Sequence, residues 1–515
     1  MKKEKTNFKS KSIFTKIFKK IGTIRYIFFI YVLFTVVMSL LLFWNISHNA
    51  DEHGKKVTVK YLDALFIAAS AFSDTGLTTV TVTDTFNIFG QALIAFCIFV
   101  GGVGIFTIKV YVFHSLLNLK SDVLSSQVSQ TERGGKNAFE TKQMIKVSIT
   151  FIILATIISS IIFTLMFYFN PYGYFNDTKA LEITGNRFNP YLAAKYNPYR
   201  NIFMSLRYGF FHSISSINNA GFDIIGDKSL QPYYKDYGLQ IMTIIVFMIG
   251  GIGFPVIYDI WLKIKSTNKK NKVHRFSLFT KFTLVTYFAT TAIALALTYV
   301  FELTSSNPNT IWNQVEYGNT WDKIFAIYFQ TKSTRSAGFS TVNYTNFTQP
   351  TVVLHGILMF IGFSPVSTAG GIRNTTIAVI FLSVMTMITG RQRINAFKRQ
   401  IGKETLIKAT NVLTIGMLLV TVFTLITFVN INNHIPNKSE FEYPMTYVLF
   451  EICSAFGNSG LSVGATKETG VVGKILLIIM MIIGQFGIPQ TIKIWGKWRT
   501  VPERYQFIYE DVSIG

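Results

Sequence analysis

Four glycines, Gly76, Gly221, Gly338 and Gly460, carry the chemistry this sequence suggests most directly. Each is followed by Leu or Phe and sits in a short polar string: SDTGLT, NNAGFD, RSAGFS and GNSGLS. Close by stand Ser73, Thr75, Asn218, Asn219, Ser336, Asn458 and Ser459, all neutral and oxygen-bearing. A cation leaving water must exchange its hydration shell for other oxygens, and rings of backbone carbonyls provide them. Glycine suits such a ring because it reaches dihedrals closed to other residues and lets backbones approach. Thr75, Gly76, Asn219, Ala220, Gly221, Ala337, Gly338, Ser459 and Gly460 are therefore the candidate ion-filter residues, the ion being held by carbonyls alone. Asp74 and Asp223 either attract cations at the mouth or cap loop backbone, and both readings stay open. Arg335 would oppose a passing cation, so it is expected to turn away and pin its loop by hydrogen bonds.

Positioning these strings requires a repeated element. Before each lies a short amphipathic run, 61–72, 201–217, 321–332 or 443–456. These are too short to span about 30 Å of hydrocarbon, which takes about 20 apolar residues, but long enough to enter and return. A long apolar span precedes each run and another follows, with glycines recurring at Gly101, Gly250, Gly362 and Gly484. The distances from string glycine to this second glycine are 25, 29, 24 and 24 residues. The unit is helix, re-entrant hairpin, helix, and it occurs four times in one orientation. Irregular backbone at membrane depth is tolerated only inside protein or along a water-filled cavity, so the four loops must converge on one axis. Each short helix then aims its C-terminal end, with about half a negative charge, at that axis.

The expected fold is an all-α polytopic membrane protein with four pseudo-symmetric repeats around one central pore. The divisions are a basic N-terminus over 1–25, repeats over 26–120, 144–262, 276–390 and 405–500, and a tail over 501–515. Composition agrees: 50% of residues are hydrophobic and only 15% charged, and 26–50, 85–108, 147–176, 237–258 and 409–436 contain no Asp, Glu, Lys or Arg. The apolar run after the basic N-terminus is too long for a signal-peptide core and reads as a retained first span. Five windows, 1–25, 109–142, 263–281, 391–408 and 493–504, hold 31 of the 49 Lys and Arg but 6 of the 26 Asp and Glu. Basic loops between pairs of spans follow the positive-inside rule, placing both termini in the cytoplasm. Topology thus accounts for the net charge of +23 without nucleic acid. The linkers 263–281 and 391–408 either dock a cytoplasmic partner or enforce topology alone.

The two cysteines, Cys97 and Cys453, form no metal-ligand spacing and read as small buried side chains. No phosphate-binding P-loop or pair of catalytic carboxylates occurs, so the chain is expected not to be an enzyme and to carry no cofactor. An organic-solute carrier would bring inverted repeats and intramembrane charges. The third unit is unusual. Between 351 and 390 the only charge is Arg373, and a continuous helix of that length would reach about 60 Å. It must break at GFSPVSTAGGI, residues 362–372, where Gly362 and Pro365 stand and Gly370-Gly371 adds flexibility. That segment is either an obstruction beneath the loops or a passive kink.

The strings SINNAGFD (216–223), TRSAGFST (334–341) and SAFGNSGLSVG (454–464) resemble the filter loops of the Trk/Ktr/HKT superfamily, and most of all its KtrB-type potassium-translocating subunits. The likeness runs from about residue 20 to about residue 500. It implies one filter glycine per repeat, and a glycine rather than serine at Gly76 implies potassium. It also implies a gate at 362–372, with STAGGI matching Ser367, Thr368, Ala369, Gly370, Gly371 and Ile372. A homodimer with one pore per protomer, surrounded by lipid, and a cytoplasmic ring of nucleotide-binding RCK subunits follow from the resemblance, any nucleotide belonging to that ring. Potassium would be the transported ion, taken up by the membrane potential; some relatives are sodium-dependent, though no separate sodium site is visible. A sodium-selective or poorly selective monovalent-cation transporter of the same fold is the alternative. Two departures stand out. Phe363 and Val366 replace common glycines of the gating loop, implying a stiffer loop. Gln485 stands where relatives carry an arginine below the filter, implying a lower electrostatic barrier.

Overall fold

The computed structural model describes residues 23–50, 55–112, 138–170, 197–226, 229–267, 274–434 and 443–495. Residues 1–22 of the predicted N-terminus over 1–25, the tail over 501–515 and much of the basic windows 109–142 and 493–504 lie outside the described residues. Among the described residues the four helices long and apolar enough to cross a membrane are the first helices of the four units. They span Thr23–Phe43, Ala138–Phe169, Leu278–Leu303 and Lys403–His434.

After each comes a short helix: Tyr61–Phe72, Ile202–Ile217, Thr320–Ser333 and Met445–Gly457. The second and third of these are capped by side chains. The Asn201 side chain accepts from the Met204 amide, and Asn319 with Asp322 forms a reciprocal capping box. Each second helix is broken. In the first unit Ile88–Val103 stops before Ile105–Tyr111, and in the fourth Val471–Phe486 stops before Ile488–Trp495. In the second, Tyr237–Gly251 and the continuation from Phe254 meet at 95°. The third has the widest gap, from Phe360 to Asn374, where the sequence required a break. Between the third and fourth units the linker makes a two-residue hairpin, Asn395–Ala396 with Arg399–Gln400, its turn residues Phe397 and Lys398 both at positive φ.

A polar contact joins the end of each first helix to the start of its second. The Asn87 amide donates to Ser47 O at 3.0 Å, the Thr348 amide to Glu302 Oε1 at 3.0 Å, and the Gly473 amide to Asn430 Oδ1 at 3.2 Å. In the second unit Asn170 donates to Asp236. Such groups satisfy helix-terminal donors that lipid cannot.

The units close into a circle. Arg207 Nε donates to Gln91 Oε1 at 3.0 Å between the first and second, and Tyr234 Oη to Tyr317 O at 3.1 Å between the second and third. Ser336 Oγ donates to Gly457 O at 3.0 Å between the third and fourth. The fourth returns to the first through the Lys474–Asp63 ion pair at 2.7 Å.

Glu451 shows how much the return loops depend on buried polar groups. Its Oε1 accepts from Ser462 Oγ at 2.6 Å and the Val463 amide at 3.0 Å, and its Oε2 from Thr466 Oγ1 at 2.5 Å. Replacing it by alanine strands three donors, each costing about 1–3 kcal/mol. Glu451→Ala is expected to lower the melting temperature of the purified protein more than Glu451→Gln does, as read by tryptophan fluorescence during heating.

Candidate ion-conducting site

Where each short helix ends, the backbone makes the same turn. In units one, two and four the residue before the string glycine donates to the carbonyl five residues back: Thr75 to Ser70 O at 2.8 Å, Ala220 to Ser215 O at 2.8 Å, and Ser459 to Ser454 O at 2.9 Å. In unit three Ala337 reaches Ser333 O, four back, at 3.0 Å. Two positive φ values follow in every unit: Asp74 and Gly76 at 55° and 90°, Asn219 and Gly221 at 57° and 66°, Ser336 and Gly338 at 67° and 80°, Asn458 and Gly460 at 48° and 85°. Left-handed backbone costs an L-residue about 1–2 kcal/mol, so only shared architecture maintains it at four places.

The four glycines touch in a ring. A Cβ on Gly76 would overlap Ala220 O, and one on Gly221 would lie 2.8 Å from Gly338 Cα. One on Gly338 would overlap Ser459 O, and one on Gly460 would overlap Thr75 O. No side chain larger than hydrogen fits anywhere on this circuit. On one side of the ring is a recess of about 270 Å³, bordered by Thr78, Asp223, Ser340, Ser462 and Lys467. On the other is a cavity of about 330 Å³, bordered by Asp74, Gly102, Thr368, Arg373 and Gln485.

The two aspartates thus lie on opposite sides. Asp223 borders the recess and accepts from the Ile225 amide at 3.2 Å, as the loop-capping reading has it. Asp74 is 1% exposed and borders the cavity, away from the recess. Asp74 precedes its glycine by two residues, the left-handed position of Asn219, Ser336 and Asn458 in the other units, whereas Asp223 follows its glycine by two. With its amide oriented to satisfy both ends, Asn219 donates to Phe247 O at 2.9 Å and accepts from Thr368 Oγ1 at 2.9 Å and the Gly251 amide at 3.0 Å. Asn458 donates to Ser73 O. The side chains of Asn219 and Asn458 therefore lock loops together.

The glycines marking the second helices have a role that spacing did not disclose. A Cβ on Gly101, Gly250 or Gly484 would overlap the carbonyl of Phe72, Ile217 or Phe456, each four residues before its string glycine. These glycines let the second helix seat against the carbonyl end of the short helix. In unit three Gly362 is packed against Gly370 O instead, and Arg335 Nη2 donates to Gly362 O at 3.2 Å. Arg335 lies 5.5 Å from the Tyr287 ring centroid and borders neither cavity, as its charge required. Beside it Lys332 is also buried, over the same ring at 5.4 Å. The sequence reading passed over Lys332, although a lysine three residues before an arginine in a short intramembrane helix was the available clue.

Residues 361–373 fold into an irregular loop against the cavity. The Ile372 amide donates to Phe360 O at 3.0 Å and Ser367 Oγ to Ser364 O at 2.7 Å, while Arg373 donates to Ala369 O. Pro365, Ser367, Thr368, Ala369 and Gly371 border the cavity, and a Cβ on Gly370 would lie 2.5 Å from Asn458 Oδ1. Val366 adopts φ 63°, so a β-branched side chain occupies backbone that favours glycine, with the strain that implies. Phe363 fills the space beside Gly251 and meets the Tyr287 ring at 4.1 Å between centroids. Gln485 Nε2 donates to Phe72 O at 2.8 Å, placing a neutral amide at the cavity edge.

A family model described as TrkH, cation transport protein, matches residues 34–493. The chain belongs to that family. It is accordingly a polytopic cation transporter and not an enzyme. It is 34% identical to the uncharacterized cation transporter MG322 of Mycoplasma genitalium, over 96% of this chain and 99% of that protein. It is 30% identical to the Ktr system potassium uptake protein D of Bacillus subtilis, over 88% and 90%. It is 27% identical to the potassium/sodium uptake protein NtpJ of Enterococcus hirae, over 95% of both. The crystal structure of the potassium transporter TrkH from Vibrio parahaemolyticus shares the fold, with a TM-score of 0.57 and 15% identity over 86% of this chain and 80% of that one.

Proposed function

We propose that this chain takes up potassium through the ring at Gly76, Gly221, Gly338 and Gly460. The observation that supports the reading is the ring itself: four left-handed glycines in mutual contact, separating two cavities. The ion coordinates the carbonyls of Thr75, Gly76, Asn219, Ala220, Gly221, Ala337, Gly338, Ser459 and Gly460. The Asp223 recess is the outer mouth, and the cavity at Gln485 faces the cytoplasm, as do both termini. The loop with Gly362, Pro365, Ser367, Thr368, Ala369, Gly370 and Gly371 is the gate, and conduction requires it to leave the cavity.

No further energy source is needed. The membrane potential is worth about 2.3 kcal/mol per charge at 100 mV, or about fiftyfold accumulation. The chain works as a homodimer in lipid, each protomer with its own pore, and a nucleotide-binding ring on the gate side regulates it. The Bacillus relative's description as part of a Ktr system fits such an assembly.

Rubidium and sodium uptake by cells lacking their own potassium systems tests this reading. The intact chain is expected to take up rubidium and discriminate against sodium. Gly76→Ser places a side chain against Ala220 O at φ 90° and is expected to raise sodium entry relative to rubidium. Equal sodium and rubidium entry in the intact chain would favour the poorly selective alternative, and no flux of either would refute the proposal.

A further inference from the structure

The bent second helix of unit two has two faces, and only the inner one belongs to the site described above. On that face a Cβ at Gly251 would clash with the Phe363 ring, the Phe254 amide donates to Val366 O at 3.3 Å, and the Gly251 amide bonds Asn219. The elbow is thus the wall against which the gate loop rests. Its outer face forms an open groove of about 680 Å³ with the first helix of the same unit, within the range of about 300–1,000 Å³ common to ligand pockets.

The groove is apolar with a border of lysine and aromatic side chains. Phe151, Leu154, Ile249, Ile252, Ile257 and Ile264 make it apolar along its length. Lys146 borders it one turn from Gln143, which accepts from Tyr258 Oη at 3.1 Å. Tyr258 stacks on Trp261 at 5.7 Å, and Lys265 Nζ lies 4.7 Å from the Trp261 ring centroid. Neither Lys146 nor Lys265 has a carboxylate partner among the described residues. Tyr and Trp stand at headgroup depth in membrane proteins, and lysines there attract anionic lipid.

We propose that this groove binds one anionic phospholipid and that its occupancy biases the gate loop through the elbow. The acyl chain lies along the isoleucine wall and the phosphate sits at the Lys146–Lys265 end. Ile252 couples the two faces, because it lines the groove and packs with Tyr287, Phe363 and Ala369. An empty groove lets the elbow relax outward and withdraw support from Val366. The gate half of this proposal rests on the function proposed above, whereas the binding half does not.

The full-length protein reconstituted into phosphatidylcholine vesicles, with and without phosphatidylglycerol, provides the test. Native mass spectrometry after extraction is expected to show phosphatidylglycerol retained in preference to phosphatidylcholine. Retention should fall by about fivefold for each of Lys146→Gln and Lys265→Gln. Rubidium flux should depend on the phosphatidylglycerol fraction in the intact protein and lose that dependence in the double variant. Equal retention of the two lipids, or retention unchanged by the substitutions, overturns the site, as does cross-linking that places a helix of a second copy there. Lipid retention with flux indifferent to it overturns the coupling. Absence of all flux with selective retention condemns the transport reading and the coupling built on it, and leaves the lipid site standing.

Discussion

Rubidium uptake falls by about thirtyfold when Gln485 is replaced by arginine, on the estimate that a guanidinium about 8 Å from the ion at an effective permittivity of about 20 adds ~2 kcal/mol to its passage. The substitution is suited to the site because Gln485 already donates to Phe72 O at 2.8 Å, a bond that an arginine can reproduce. The fold is retained and the charge is what changes. The new cation would face the same cavity as Asp74 and Arg373, and Arg373 is already held on the gate loop through Ala369 O. Uptake measured against imposed membrane potential separates this barrier from a folding defect. A barrier is eased as the interior becomes more negative, whereas a loss of folded protein lowers flux by the same factor at every voltage. Unchanged flux would mean that ions do not pass Gln485.

Gly338→Ala should be more damaging to selectivity than to assembly. The new methyl would overlap Ser459 O and approach Gly221 Cα to 2.8 Å, at φ 80°. The strain alone is about 1–2 kcal/mol, equivalent to roughly tenfold in an equilibrium, and relief requires one of two neighbouring loops to move out of the ring. Either movement alters carbonyl positions in three of the four units. Rubidium uptake is expected to fall at least about tenfold and the rubidium-to-sodium ratio to approach one. Gly464→Ala is the control, because it has a comparable φ of 97° with nothing within 4 Å of the added methyl. Equal effects at the two sites would remove the ring from the conduction path.

The architecture was readable because its rules are one-dimensional. Charge-free spans, basic windows and four strings with matched spacing all report along the chain, and they placed the short helices within two residues of their observed ends. The length of 351–390 forced a break that indeed falls between Phe360 and Asn374. What the sequence withheld was direction. Asp74 precedes its glycine by two residues and Asp223 follows its own by two, and only the turn of the backbone shows that each borders a different cavity. Likewise Asn219 and Asn458 read as ion-facing oxygens although their side chains hold loops together. Gly101, Gly250 and Gly484 were recognisable as landmarks, but close approach of a helix to a carbonyl depends on partners from elsewhere in the chain. The departure at Val366 had a readable origin, since its φ of 63° lies in the region that glycine would occupy without strain.

The ring is joined last where the chain's two ends meet. Asn458 bonds Ser73 across 385 residues, Lys474 pairs with Asp63 across 411, and Gln485 reaches Phe72 across 413. During synthesis, therefore, three of the four walls are in the bilayer before the fourth exists, and the half-made molecule holds an open-sided groove with no partner for Gly76 on one flank. A nascent chain in that state lacks one wall of the glycine ring, and the contacts of Gly76 with the fourth unit form only when the final quarter of the protein docks. Such long-range closure is intrinsically slow, and it makes the last helix pair the natural checkpoint for quality control.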